Sequence, residues 1–223
     1  TSPTIVVGGR FDRINSTALW GPGEWLIAEA DESDGSFLKL APEIAIITNI
    51  DSDHMDHFKT FENLQKSFQD FALKVPFYGA GIVCGDDPEV KKLFQGFSKK
   101  IIFYGFENHN DWIVNGSNGV YQLKGDGQTF NFHLSVSGRH NALNASAAFI
   151  AALESGISGQ NCIEGLQSFH GVDRRFHFKG EAGGVKVYDD YGHHPTEVKA
   201  VLQAFREKFP SSKHSLSPHL GAN

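Results

Sequence analysis

Thiols are scarce in this chain of 223 residues: Cys84 and Cys162 stand far apart, without the spacing of metal ligands. A disulfide scaffold and a cysteine-built zinc site are therefore not expected, whereas reduced thiols of the cytosolic kind are. No cluster of Lys or Arg interrupts a formal net charge of −6, which speaks against a nucleic-acid or anionic-membrane surface. A metal-bound nucleotide stays compatible with that charge, because the metal brings positive charge of its own. No apolar run approaches the ~20 residues that a membrane-spanning helix requires. The phosphate-loop pattern G-x-x-x-x-G-K-[ST] is missing as well, and Gly8-Gly9 by itself reads as a tight turn. No signal-peptide pattern opens the chain, but Thr1 is not an initiator Met, so a preceding segment, a leader included, stays open. With hydrophobic residues at 40%, the chain can still bury a real core, enough for one large domain or one and a half ordinary ones.

What the chain has instead is acid in two concentrated places. Glu29-Ala30-Asp31-Glu32-Ser33-Asp34 and Asp51-Ser52-Asp53-His54-Met55-Asp56-His57 flank residues 44–50, a β-branched apolar run with the length of one buried strand. Both turns are expected to open at one sheet edge. Carboxylates this close repel one another unless water, partners or a cation neutralise them. The mixture of carboxylate oxygen and imidazole nitrogen suits Mg2+ or Mn2+ carrying waters and phosphates better than a closed zinc site. A solvated acidic loop explains either run alone; two runs bracketing one strand favour the metal.

Taken in order, strands alternate with helices. Residues 4–9 and 25–30 read as strands, the second delivering Glu29 near its carboxyl end, where ligands sit in open α/β sheets. Phe61, Leu64, Phe68, Phe71, Ala72 and Val75 form a helical stripe facing a core. A strand at 82–84 follows, then a helix with Asp87 as N-cap and Pro88 in its first turn, then a strand at 100–104. Such spacing predicts βαβ units and an α/β fold with a central, mainly parallel sheet and flanking helices. Residues 111–136, short strands separated by Asn/Gly and Asp/Gly turns, predict an antiparallel excursion at the sheet edge, with His133 an alternating polar position and His109 a loop residue.

Gly138-Arg139-His140-Asn141-Ala142-Leu143-Asn144 opens an alanine-rich helix ended by Gly156. Asn141 and Asn144 share a helical face, and two amides side by side can read a purine edge; alternatively, Asn141 caps the helix and Asn144 is incidental. After a helix at 160–169, Arg174-Arg175-Phe176 can fork onto phosphate or carboxylate, although surface arginines are common. The glycine-rich stretch 180–184 reads as a hinge. Residues 185–190 then read as the first strand of a new α/β unit, ending in Asp189-Asp190-Tyr191-Gly192-His193-His194-Pro195, with a helix over 196–209.

Those five motifs, in that order, resemble the signature series of the Mur ligases, and within the family they are most similar to the member that joins L-alanine to UDP-N-acetylmuramate. The resemblance implies three domains, of which residues 1–179 match the central ATP-binding domain without its phosphate loop. Residues 180–223 match the first βα unit of a Rossmann-like C-terminal domain. Residues 211–223 depart from the family's pattern. The resemblance further implies cytoplasmic peptidoglycan-precursor synthesis with ATP and Mg2+ (or Mn2+), through an acyl phosphate. It places Glu29 and His54 on the metal, Asn141 and Asn144 on adenine, and Arg175 and Asp190 on the nucleotide. Glu32 and Ser33 fall near the sugar nucleotide, and Tyr191 and His193 where the amino acid is selected; Asp31, Asp34, Asp51 and Asp56 read as supporting or loop-capping residues. A sibling that attaches a murein peptide to the same sugar nucleotide is similar, but tends to carry an aromatic residue at the place of Ser33.

Two rivals come from other classes. His54-x-Asp56-His57 matches the end of a dinuclear metallohydrolase run, with Ser52 where its first histidine belongs. A non-catalytic nucleotide-binding module is the other. The ligase reading predicts no tight stoichiometric zinc uptake when the purified chain is titrated with zinc; such uptake would support the hydrolase.

Overall fold

The computed structural model describes residues 2–11, 16–172, 174–213, 215 and 217. It opens with β1 (Thr4–Phe11), β2 (Ser16–Leu19) and β3 (Leu26–Ala28), a small sheet in the order β2-β1-β3, in which β1 runs antiparallel to β2 and parallel to β3. A second sheet begins with β4 (Ile44–Ile47). There follow α1 (Met55–Phe58), α2 (Phe61–Leu73), β5 (Ala80–Cys84), α3 (Pro88–Phe94) and β6 (Ile101–Gly105). Strands β4, β5 and β6 are parallel neighbours. Every residue of β5 is buried, as a central strand with helices on both faces requires. The helices start where polar side chains take up orphan amides: Thr60 Oγ1 accepts from Asn63 N–H at 3.2 Å, and the Asp87 carboxylate from Val90 N–H at 2.8 Å.

The sheet continues through β7 (Trp112–Ser117), β8 (Val120–Gly125) and β9 (Gln128–His133), giving the order β4-β5-β6-β7-β8-β9 with antiparallel pairing from β7 onward. The two hairpin turns place Asn118-Gly119 and Asp126-Gly127 at positive φ, the conformation that tight hairpins demand. Then come α4 (Arg139–Glu154) and α5 (Gly159–Gln167). One core cluster joins β5–β9 to α4 and α5 through Tyr104, Leu123, Phe132, Phe149 and Ile150. The other packs Phe37, Leu64, Phe71, Val83, Val90 and Phe94 beneath α2 and α3. The chain ends in a hairpin of β10 (His177–Ala182) and β11 (Val185–Asp189), followed by α6 (Pro195–Lys208).

Three expectations are corrected. The two acidic turns do not leave one sheet, since β3 belongs to the three-stranded sheet and β4 is an edge strand of the six-stranded one. The stretch 180–184 is not a hinge: Gly183 and Gly184, with φ of 58° and 78°, turn the β10–β11 hairpin, whose pairing is antiparallel. Strand β10 therefore starts the closing unit at His177, ahead of residue 180. The N-cap of α4 is Gly138, not Asn141. Most of the tail from residue 214 lies outside the described residues.

Phe149 is 1% exposed, with its ring 4.9 Å from that of Phe130, whereas Phe77 is 91% exposed. Urea unfolding is expected to show Phe149→Ala losing ~3–5 kcal/mol of stability and Phe77→Ala staying within ~0.5 kcal/mol of the parent.

Candidate functional site

A cleft of about 1210 Å3 opens beyond the carboxyl ends of β4 and β5, walled by the start of α4 on one side and the start of α6 on the other. This is where parallel sheets place their ligands. Its lining includes Glu32, Asp51, Asp53, His54, Asp86, Arg139, His140, Asn141, Asn144, Arg175, Asp190, His194, Thr196 and Glu197. Of the residues expected from sequence, Glu32, His54, Asn141, Asn144, Arg175 and Asp190 are thus brought together. Glu29, Ser33, Tyr191 and His193 are not among the lining residues.

The acidic turns meet across the gap between their sheets. Glu32 Oε1 lies 3.9 Å from His54 Nε2, and Asp53 Oδ2 lies 3.8 Å from the same nitrogen. The other carboxylates are spent locally. Asp31 and Asp34 accept the Ser33 and Ser36 amides, each at 2.8 Å, and hydrogen bonds from those serines hold both carboxyls below the usual range. Glu29, exposed just beyond β3, accepts the Gly8 amide. Among the described residues, no group of three or more His, Cys, Asp or Glu side chains is arranged to hold a metal ion. That does not conflict with Mg2+, which keeps several waters and takes one or two protein carboxylates plus substrate phosphates. The Glu32–His54 pair provides oxygen and nitrogen donors of that kind.

The wall formed by the start of α4 is set by Asp86. Its side chain is only 10% exposed, accepting Phe106 N–H at 2.8 Å, Asn110 Nδ2 at 3.0 Å and Arg139 Nη2 at 2.7 Å. The Arg139 guanidinium also lies 3.9 Å from the Phe106 ring centre, so α4 is clamped at its first residue. At the cap, Gly138 has φ 105°, and a Cβ there would lie 2.7 Å from His140 Cε1. Asn141 Nδ2 donates to Ser137 O at 2.7 Å, leaving its amide oxygen for the cleft, and Asn144 is exposed one turn on. Burial pushes the His140 imidazole below its ordinary value; Arg175 adds to the effect, and Asp190 and Glu207 oppose it.

The opposite wall comes from the closing unit. Arg175 Nη1 stands 3.7 Å from Glu197 Oε1, in a segment where Arg174 and Phe176 both adopt positive φ. Asp190 holds that segment by accepting Phe176 N–H at 2.7 Å and Gly192 N–H at 2.8 Å. For Glu197, burial acts to raise the carboxyl, but amides of His193 and His194 and the Arg175 charge outweigh it and leave it low. Tyr191 and His193, ring centres 5.4 Å apart, are exposed, with Arg174 4.7 Å from the centre of the Tyr191 ring. Sequence reasoning assigned no site role to Asp86, Arg139, His140, His194, Thr196 or Glu197. Arg139, His140 and His194 lie inside the motifs and Thr196 and Glu197 just after the last, whereas Asp86 stands in none of them and no motif marked it.

With amide, acidic–imidazole and arginine motifs converging on one cleft beyond a mainly parallel sheet, the chain belongs to the Mur ligase family. It matches the Mur ligase middle domain over residues 24–152 and the Mur ligase glutamate ligase domain over residues 174–216. It is 64% identical over 219 residues to the UDP-N-acetylmuramate–L-alanine ligase of Bdellovibrio bacteriovorus, covering 95% of this chain and 48% of that one. The chain thus spans about half the length of that relative. Among solved structures it is similar to UDP-N-acetylmuramate-alanine ligase from Thermotoga maritima, with a TM-score of 0.78 and 25% identity over 94% of this chain and 49% of the other. It shares its fold with the MurF ligase of Thermotoga maritima, solved in complex with ADP, with a TM-score of 0.72 and 20% identity over 92% of this chain and 51% of that one. Membership of this family sets aside the metallohydrolase rival.

His140 supplies a pH test. The unfolded imidazole binds its proton near 6.5 and the folded one only at lower pH, so between the two the unfolded state holds more protons. Stability is therefore undiminished above about pH 6.5 and lost as pH falls towards the folded value. Thermal unfolding from about pH 7.5 to about pH 5.5 should show a smaller acid loss for His140→Asn than for the parent chain.

Proposed function

We propose that the full-length protein is an ATP-dependent, cytoplasmic ligase joining L-alanine to UDP-N-acetylmuramate in peptidoglycan-precursor synthesis. The carrying observation is the single cleft that gathers Glu32, His54, Asn141, Asn144, Arg175 and Asp190 from five separate motifs. Family membership supports the reaction class. In this reading the residues before β10 form the ATP-binding domain, and the β10–β11 hairpin with α6 begins the C-terminal one, so the boundary falls ahead of residue 180.

Bringing a carboxylate to a triphosphate crowds like charges, so the site must neutralise charge and align the reactants rather than supply a nucleophile. A carboxylate oxygen of the sugar nucleotide bonds to the γ-phosphorus as the bond to ADP breaks. The amine of L-alanine then attacks the acyl carbon, phosphate leaves, and the nitrogen gives up a proton. Mg2+ or Mn2+ would be held by Glu32 and His54, which face each other in the cleft, and would supply positive charge to offset the two anions; Glu29, the residue that the family pattern points to, lies outside the cleft lining and accepts the Gly8 amide. Asn141 and Asn144 present amides to the adenine, Arg175 and Asp190 engage the nucleotide, Glu32 and Ser33 lie toward the sugar nucleotide, and the exposed Tyr191 and His193 meet the amino acid. Neither a nucleic acid nor a membrane has a part in this reading, and among the described residues no helix is long and apolar enough to cross a membrane.

The decisive assay is amino-acid-dependent phosphate release by the full-length protein with L-alanine, glycine, L-serine and the murein tripeptide. L-alanine is expected to give the highest kcat/KM, and Asn144→Ala to weaken ATP binding about tenfold, the effect of losing a hydrogen bond worth ~1.4 kcal/mol. Preference for the tripeptide would identify a murein peptide ligase instead, and release indifferent to any amine would overturn the ligase reading. The 223-residue chain by itself, which has no phosphate loop, is expected to bind ATP weakly and release no phosphate.

A further inference from the structure

One contact joins the second acidic turn to the closing unit across the cleft. Thr196 Oγ1, in the first turn of α6, donates to Asp51 Oδ2 at 2.6 Å, between residues 145 apart in the chain. The same carboxylate oxygen lies 3.6 Å from His194 Nδ1, and the Ser52 amide donates to Asp51 Oδ1 at 2.8 Å. The carboxylate therefore sits at the amino end of a helix of 14 residues, where unpaired N–H groups and the helix dipole favour a negative charge. Farther along α6, the buried Ala204 packs against the start of α4 at Gly138, an apolar contact with no directional demand.

We propose that Asp51 is a positioning residue: bonded to Thr196, it latches the C-terminal unit over the cleft and sets the Tyr191–His193 turn opposite His54. What is positioned rests on the ligase reading above; the latch itself stands on the contact. Ala204 provides a pivot and Asp51–Thr196 a breakable polar closure, because a hydrogen bond between exposed partners competes with water and opens readily. A site that must admit three substrates and release its products needs a closure of that kind. Asp51 is three residues before His54 on one turn, so the closed position of α6 is registered on the turn that faces the reacting phosphate.

The test uses fluorescence energy transfer between dyes on Lys66→Cys in α2 and Lys199→Cys in α6. Both positions are exposed, whereas Cys84 and Cys162 are buried and shielded from the dyes. In the 223-residue chain, Thr196→Val and Asp51→Asn are each expected to shift the population to longer distances. Thr196→Ser should hold the parent distribution, and Asp51→Asn with Thr196→Val should add nothing to either single change. A Thr196→Val distribution identical to the parent's, or additive single effects, overturns the latch. In the full-length protein, Thr196→Val should raise KM for L-alanine about tenfold with kcat nearly unchanged, as a reduced closed population requires, and Thr196→Ser should restore it. Longer distances with an unmoved KM overturn the positioning role. Failure of the full-length protein to release phosphate with any amine defeats the ligase reading alone, since the distances still decide the latch.

Discussion

The carboxylate of Asp86 is the joint on which the cleft is built. It leaves the carboxyl end of β5, is almost fully enclosed, and takes donors from the loop after β6 and from the first residue of α4. An enclosed charge is tolerable only when it is met by several donors and a counter-charge, and that need pulls three chain segments to one point. The glycines around it follow from the crowding: a Cβ on Gly105 would lie 2.2 Å from Asp86 Oδ1, and one on Gly85 would lie 2.0 Å from Asn110 Oδ1. With α4 held there, Asn141 and Asn144 have a defined place at the mouth of the strands.

The acidic turns solve a different problem with local means. Asp31, Asp34 and Asp51 each accept a backbone amide one or two residues on, and Asp53 accepts the amide of His54. Those bonds shape the turns and absorb charge, leaving Glu32 and His54 to face each other across the cleft. Acid that looks uniform along the chain is thereby sorted into residues that build the loop and residues free to meet a ligand. The opposite wall is organised alike: Asp190 uses its oxygens on the amides of Phe176 and Gly192, Glu197 on the amide of His193, and Arg175 is steadied by Glu197.

Much of the fold was legible because its periodicities are plain. The apolar stripe beginning at Phe61, the Asp87-Pro88 helix start and the Asn/Gly and Asp/Gly turns each predict the element observed, since propensity, capping and turn chemistry act within a few residues. Strand β2 has no signal in the local pattern, and the glycines at 180–184 suggest a hinge where the structure has the end of β10 and its turn. The residues of β10, His177–Ala182, include Gly180 and alternate weakly, and its pairing is decided by β11 rather than by its own pattern.

The chain alone determined the alternation of strands and helices, the edge hairpins, the family, and which motifs carry amides, imidazoles and arginines, because these depend on residue type and short spacing. Only the tertiary structure decided that the acidic turns come from two sheets, that Glu32 rather than Glu29 stands against His54, and that Asp51 reaches Thr196. The reason is physical: a side chain's partner across 145 residues depends on sheet order, helix placement and burial, and none of these is written in local spacing.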